Sequence, residues 1–363
     1  MTTQSTTDLP IPLAGEADHI QDMPQDRDYY EDNGFMLLAE SGDDDICLWT
    51  SAFIFRSPEG GQWLVRDGRM QCTFLIVSPK ERRGKGLYDN DFVREGYHYS
   101  DYESANALGV IQKPDRVIWD IGQRQYICAP PVWQVKGSHA GVDLDLRMEQ
   151  SAPAIWQWGP WESCRERGEG GFEVFVKGSG TIKVDGATYR IEKAHGLHEH
   201  ALLGQSWPLT TTMREHPFYW TSIHTDDLRV FHFQVPSKGI DAGLVRVDNR
   251  TLNYMPGSSA TVSFVALEHW QDPRSGLNIP SKWHLTMSSP EGLLDAGITG
   301  HGRGYYHYNE RIGLIVSVWI LGVANGAFDF PDGRRIPVKD GLACVNWGRT
   351  ILVAKESLRG PIL

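Results

Sequence analysis

The sequence lacks the motifs that mark several common enzyme classes. It has no G-x-S-x-G element, no Walker A sequence and no H-E-x-x-H. Gly302-Arg303-Gly304 lacks the third glycine of a dinucleotide fingerprint and does not open a helix. The sequence therefore disfavours serine hydrolysis, phosphoryl transfer, and hydride transfer on a Rossmann domain.

Cysteine, positive charge and long apolar runs are also scarce. The chain of 363 residues has five cysteines and no C-x-x-C pair, which disfavours a zinc ribbon, a thioredoxin site and a disulfide framework. No run approaches the ~18 apolar residues of a membrane-spanning helix. Lys and Arg (35) are outnumbered by Asp and Glu (46), and the net charge of −11 disfavours nucleic-acid binding. The polar lead-in, residues 1–30, has no secretion-signal pattern, so we expect a cytoplasmic protein without stable membrane insertion.

Glycine, proline and tryptophan are abundant instead. The 38 Gly and 20 Pro residues punctuate short runs of alternating apolar and polar residues, such as 171–178 and 180–184, and the Asp185-Gly186 dipeptide signals a hairpin. Helical periodicity is rare, which predicts an all-β protein. The length favours two packed β-barrels, an N-terminal one at 31–236 and a C-terminal one at 237–363, divided at the Pro, Ser and Gly residues after Val235.

Histidines are concentrated in one stretch. Six of the 13 lie between residues 195 and 232, around Gly196-Leu197-His198-Glu199-His200. On a strand, His198 and His200 project from one face and Glu199 from the other. Three interpretations remain open: a Zn or non-haem iron site of cupin type, metal-free acid–base chemistry by a buried Glu199 or a flanking histidine, and a structural hydrogen-bond network.

Aromatic residues form the second candidate feature. Three tryptophans lie within 156–161, Trp220 follows Tyr219, and Tyr305 and Tyr306 belong to a Gly-rich segment, 302–311, whose layout weakly repeats that of the histidine stretch. These rings either pack the cores or line a cavity for an apolar ligand or a carbocation.

The pattern of strand, D-G turn, strand and G-L-H-E-H resembles the carotenoid 1,2-hydratase (hydroxyneurosporene synthase) and AttH-like superfamily, including related Diels-Alderase-type cyclases. The family run is close to G-Y-H-D-H-N-W-G, whereas this chain has Glu199 for the Asp and lacks the Asn-Trp pair. The resemblance implies two lipocalin-like barrels and a hydrophobic pocket near their junction, with no metal and no organic cofactor. It also implies that the acidic role is carried by Glu199.

The combined expectation is a cofactor-independent lyase (a hydratase) or a cyclase of secondary metabolism, acting on a terpenoid, polyketide or steroid-like molecule. We expect Glu199 as general acid or base, with His198 and His200 orienting it or holding water. The substrate-binding candidates are Trp158, Trp207, Tyr219, Trp220, Tyr305 and Tyr306. The expected partner is a hydrophobic small molecule, and a homodimer is compatible with the sequence. The alternatives are a non-catalytic lipocalin-like binder and a cupin-type metalloenzyme.

Overall fold

The computed structural model of the chain describes residues 13, 15–21, 29–56, 67–88, 97–104, 109–122, 124–139, 141–163, 166, 168–204, 217–236, 239–254, 259–310 and 313–353. Within these ranges the chain is built of strands, joined by tight turns and three short 3-10 turns. No helix in these ranges is long and apolar enough to cross a membrane. The predicted all-β class is confirmed.

The N-terminal part of the chain forms a sheet of twelve antiparallel strands. Their bounds are β1 (Tyr29–Ser41), β2 (Asp44–Arg56), β3 (Asp67–Pro79), β4 (Tyr97–Ser104), β5 (Gly109–Lys113), β6 (Arg116–Ile121), β7 (Arg124–Ala129), β8 (Val132–His139), β9 (Val142–Gln150), β10 (Ile155–Gly159), β11 (Glu169–Val184) and β12 (Ala187–Gly204). Their order is β4-β3-β2-β1-β12-β11-β9-β8-β7-β6-β5, with β10 paired to β11. The first and last strands of this sheet, β1 and β12, are therefore neighbours in its middle.

The C-terminal part forms a second sheet, of nine antiparallel strands. Their bounds are β13 (Phe218–His224), β14 (Leu228–Val235), β15 (Ile240–Val247), β16 (Arg250–Tyr254), β17 (Thr261–Gln271), β18 (Asn278–Ser289), β19 (Gly292–Glu310), β20 (Gly313–Asp329) and β21 (Arg335–Val353). Their order is β16-β15-β14-β13-β21-β20-β19-β18-β17.

Each sheet curls around a core of its own, and a third core lies between the two sheets. The first core includes Phe35 and Leu37, whereas the neighbouring Met36 faces the third core together with Trp319 of the second sheet. This division follows from the two-residue repeat of a strand, since a strand buried on both faces feeds two cores at once. The predicted pair of packed barrels is confirmed, and the third core is their junction.

The hairpin between β11 and β12 is the turn predicted from its sequence. Asp185 and Gly186 have φ angles of 48° and 77°. Two successive residues with positive φ match the right-handed twist of the flanking strands in a two-residue hairpin, and an Asp-Gly pair adopts them at low cost.

The change from one sheet to the other falls earlier than the expected division after residue 236. The first sheet ends at Gly204 and the second begins at Phe218, so β13 and β14 pair within the C-terminal sheet. The Pro and Gly residues after Val235 form a tight turn, in which the Gly239 amide donates to the Pro236 carbonyl at 3.0 Å. They mark a hairpin between β14 and β15 and not a passage between barrels.

Glycines bring the two sheets into close contact at β19 and β3. A Cβ on Gly304 would lie 2.8 Å from the ring of Phe74, and one on Gly302 would lie 2.9 Å from the side chain of Ile76. Larger residues at either position would push the sheets apart, because protein cores have little free volume. We call this line of the junction the glycine contact.

Candidate active site

The strand β12 divides the candidate site residues between two compartments. It is paired with β1 on one side and β11 on the other, so that Glu199 lies directly opposite Gly34 and Glu173. The side chain of Glu199 faces the junction between the barrels, whereas those of His198 and His200 face the interior of the first barrel.

Three acidic side chains meet at the junction: Asp32, Glu173 and Glu199, which we call the carboxyl cluster. The carboxyl of Glu199 lies close enough to those of Asp32 and Glu173 for the three groups to interact electrostatically. Trp220 Nε1 donates to Glu173 Oε1 at 3.0 Å, and the amide of Ala201 donates to Asp32 Oδ1 at 3.2 Å. Asp32 and Glu173 are buried, while Glu199 keeps part of its surface accessible. Glu199 is therefore the member that a bound molecule can reach.

Burial and mutual repulsion keep protons on the carboxyl cluster. Burial, together with the charge of Glu199, raises the pKa of Asp32 and of Glu173 well above the usual range. Burial also raises the pKa of Glu199, but the contacts with its two neighbours counteract part of that rise. The pKa of Glu199 is therefore raised less than those of its neighbours, and a charge on Glu199 favours the protonated form of both. The cluster can both donate and accept a proton.

Three tryptophans, Trp49, Trp220 and Trp319, pack beside the carboxyl cluster in the junction. The ring centroids of Trp49 and Trp319 are 5.0 Å apart, and those of Trp220 and Trp319 are 5.5 Å apart. Gly34 makes room for the indole of Trp49, because a Cβ there would lie 2.5 Å from that ring. The faces of these rings can stabilise a cation through their quadrupoles.

The histidines on the other face of β12 belong to a separate group, the barrel histidine network of Asp18, Glu31, His198 and His200. His198 Nε2 lies 2.9 Å from Asp18 Oδ1, and its Nδ1 lies 3.0 Å from the Gly34 carbonyl. His200 Nε2 lies 2.8 Å from Glu31 Oε1, and its Nδ1 lies 3.5 Å from Asp18. Among the described contacts, neither histidine hydrogen-bonds to Glu199.

The barrel histidine network anchors the N-terminal segment to the first barrel. Asp18 ends a 3-10 turn (Gly15–Asp18), is fully buried and accepts a hydrogen bond from Trp133 Nε1 at 2.7 Å. Burial would raise the pKa of Asp18, but His198 and His200 hold it well below the usual range. Burial likewise opposes the charge on His200, but hydrogen bonds to Asp18 and Glu31 raise the pKa of His200 to about 9.

The four predicted substrate-binding aromatics whose side chains the structure describes are divided between two cores. Trp158 and Trp220 lie in the junction core, and the ring of Trp158 meets Phe233 edge-on at 4.9 Å. Tyr219 and Tyr305 pack against the core of the second barrel.

The contacts of Tyr219 and Tyr305 agree with a position in the second barrel. Tyr219 packs on Phe264 at 5.1 Å, and the Tyr305 hydroxyl accepts a hydrogen bond from Arg303 Nε at 2.6 Å. Trp207 lies outside the described residues, and so does the side chain of Tyr306.

Sequence reasoning missed four junction residues: Asp32, Glu173, Trp49 and Trp319. Glu173 carried a usable signal, because it is the one acid in the run Phe172–Val176, which is otherwise apolar on both faces. An acid in a strand that is buried on both sides is rare, and it indicates a specific structural or functional role. Asp32 has no such signal, since it follows another acid, Glu31.

The described ranges hold no group of three or more His, Cys, Asp or Glu side chains arranged to hold a metal ion. His198 and His200, the pair that suggested a metal site, face the carboxylates of Asp18 and Glu31.

Fold and site together define a double-barrel β protein with a proton-holding carboxyl cluster and tryptophans at the barrel junction. No protein-family profile matches the chain, and no curated protein matches it. Solved structures do share its fold. A candidate AttH protein from Nitrosomonas europaea is similar with a TM-score of 0.55 and 13% identity, over 89% of this chain and 95% of that one.

CghA, solved with Sch210972, is similar with a TM-score of 0.57 and 11% identity, over 90% of this chain and 89% of that one. CghA alone gives a TM-score of 0.55 at 12% identity, over 89% and 88% of the two chains. The expected resemblance to the AttH-like superfamily is thereby confirmed at the level of the fold.

Proposed function

We propose that this protein is an enzyme that binds an apolar small molecule at the barrel junction and transfers protons through the carboxyl cluster. The observation that carries the proposal is the arrangement of Glu199: a partly accessible carboxyl between two buried carboxyls with raised pKa values, bordered by three tryptophans. Such a cluster is costly to bury, and groups with strongly shifted pKa values concentrate at functional sites.

The cluster supports an acid–base reaction at a carbon–carbon double bond. A carboxyl proton is added to one carbon, and the π electrons form the new C–H bond and leave a cation on the other carbon. The faces of Trp49 or Trp220 stabilise that cation. Water then adds to the cation and returns a proton to the ionised carboxyl, so that water is added in net terms and the cluster is restored.

Related reaction classes use the same groups. Dehydration is the reverse sequence. Cyclisation follows when an internal double bond, instead of water, captures the cation, and the new ring cation then loses a proton to the ionised carboxyl to form a double bond. We therefore propose a hydratase-type lyase or a cyclase, with a terpenoid, polyketide or steroid-like substrate and no cofactor. The solved complex of CghA with Sch210972 supports a small molecule as the ligand of this fold.

Binding of an uncharged apolar probe tests the place of the site. We expect Trp220→Phe to raise the dissociation constant of geranylgeraniol or progesterone about tenfold, because the variant loses aromatic area and frees Glu173 from its indole donor. Quenching of the remaining tryptophan fluorescence gives the dissociation constant.

Trp283→Phe is the matched control, because Trp283 is fully buried in the core of the second barrel and away from the junction. It should bind the probes like the unmodified protein. Equal weakening in both variants, or in neither, would place the ligand outside the junction. Mass spectrometry of the recovered probes separates an enzyme from a binder that releases its ligand unchanged.

A further inference from the structure

The junction carries a second group of ionisable side chains, distant from the carboxyl cluster. His195 of β12 faces the junction like Glu199, but four residues earlier, about 13 Å along the strand. Opposite it, the second sheet places His224, Arg229 and Arg246 in one cross-strand row of β13, β14 and β15. We call these four residues the basic cluster.

The two histidines are stacked and have unused ring nitrogens. Their ring centroids are 5.9 Å apart with planes inclined by 6°. Among the residues that the structure describes, neither ring nitrogen of His195 has a partner within hydrogen-bonding distance, and Nδ1 of His224 has none either, although all three atoms are buried. Nε2 of His224 is occupied by the hydroxyl of Ser222. These three ring nitrogens are therefore available to hydrogen-bond a ligand.

The two arginines have no carboxylate partner within the described ranges. Arg229 is 8% exposed and donates from Nη1 to Ser151 Oγ at 3.1 Å, while its Nε lacks a partner. Arg246 donates to Thr251 Oγ1 at 3.2 Å. A largely buried guanidinium held by neutral oxygens alone leaves its charge uncompensated, which is costly.

The surrounding charges do not supply that compensation. Lys193 and Lys177 lie near His195. Among the described residues, the acid that acts on the cluster is Asp226, an exposed residue that pairs with Lys193 and lies 3.7 Å from His195 Nε2. The cluster is therefore a concentration of positive charge in a protein whose net charge is −11.

The titration of the cluster agrees with this picture. Burial, followed by the charges of Arg229 and Lys193, lowers the pKa of His195 to about 4. Burial, with His195 and Arg229, also lowers the pKa of His224 well below its usual range. Burial and Arg246 lower the pKa of Arg229. An anion among these groups would reverse each of these effects.

We propose that the basic cluster is a binding site for a small oxyanion, a phosphate or a carboxylate. The guanidinium groups offer paired donors that match either anion, and the histidines add donors once protonated. The site is separate from the carboxyl cluster, since Leu197 and Phe175, paired across β12 and β11, stand between His195 and Glu199. It does not depend on the proposed reaction.

The test uses the full chain with inorganic phosphate and, in a second arm, acetate, each at millimolar concentration against sodium chloride of equal ionic strength. We expect phosphate or acetate to raise the melting temperature, and to do so more at pH 6 than at pH 8, because binding draws protons onto His195 and His224. Long-range proton–nitrogen spectra should show the His195 ring becoming protonated. A response to phosphate alone assigns the site to phosphates, and a response to both assigns it to carboxylates as well.

Arg246→Gln should raise the dissociation constant of the anion about tenfold. His195→Gln is the second variant and should reduce the pH dependence of binding to the part that His224 contributes. Arg335→Gln, which alters an exposed arginine paired with Asp329 in the β20–β21 hairpin, is the control and should leave binding unchanged. The proposal fails if neither anion acts beyond chloride, or if the control loses binding as much as Arg246→Gln does.

Discussion

Replacing Glu199 with glutamine is expected to lower turnover about 10²- to 10⁴-fold and, at pH 8, to make the protein more stable. The loss of turnover follows from removing the accessible proton-transfer group. The gain in stability follows from removing one of three carboxyls that are held together in a buried place. A residue retained at a cost in stability is typical of active sites.

The sign of the stability change depends on pH. The raised pKa values of Asp32 and Glu173 favour the folded protein below the usual carboxyl range, and this contribution is lost as the pH rises through the raised values. Without the charge of Glu199 these values fall, so that the loss at high pH is smaller. We therefore expect the variant and the unmodified protein to be equally stable at pH 4, and the variant to be the more stable of the two at pH 8.

Urea unfolding at pH 4 and pH 8 measures the change in stability. Turnover is measured with whichever of geranylgeraniol and progesterone the unmodified protein converts. Glu192→Gln is the matched control, because Glu192 is an exposed glutamate on the same strand. It should change neither quantity. A Glu199→Gln protein that is less stable at every pH, with normal turnover, would show that Glu199 is a structural hydrogen-bond acceptor.

Asp18→Ala is expected to cost about 3–5 kcal/mol of stability near pH 6, because removing one partner of a buried ion pair leaves the other charge without compensation. The variant loses the contacts of Asp18 with Trp133 and His198 and one of the two acids that support the charge on His200. Since the folded pKa of His200 is about 9, its contribution is complete below the unfolded value near 6.5 and disappears as the pH rises through 9. The deficit should therefore shrink at pH 9.5.

Urea unfolding at both pH values and hydrogen exchange of residues 15–21 measure this effect. Loss of protection confined to that segment would show that it detaches while the barrel stays folded. Asp329→Ala, which breaks an exposed pair with Arg335, is the control and should cost less than about 1 kcal/mol. A comparably small cost for Asp18→Ala would contradict the anchoring role of the barrel histidine network.

The fold and the two faces of β12 could be predicted because they depend on local patterns. Alternating apolar residues and the Asp185-Gly186 turn specify strands and a hairpin, and the repeat of two is enough to assign His198 and Glu199 to opposite faces. The pattern does not indicate which compartment each face of the strand borders. The histidines and the acid were therefore grouped as one site, although they belong to two.

The remaining site residues depend on pairings between distant parts of the chain. Asp32 and Glu173 join Glu199 because β1 and β11 flank β12, and Asp18 reaches His198 across 180 residues. Nothing in the local sequence around Asp18 indicates burial. The Pro and Gly residues after Val235 predict a passage between barrels, but they belong to a hairpin. The sequence does not separate the two cases, because both use the same turn residues.

The glycine contact defines an axis about which the two barrels could rotate relative to one another. Because β19 is held against β3 there, a relative rotation of the two barrels would have that line as its axis. Glu199 lies on β12, three strands from β3, which is about 14 Å at the usual strand spacing. A rotation of roughly 10° about that line would move the second sheet by about 2.5 Å at Glu199, so the hydrogen bond from Trp220 to Glu173 would have to break for the gap to widen. Trp220 would then hold the junction closed beside Glu199, and its release from Glu173 would be the condition for widening that gap.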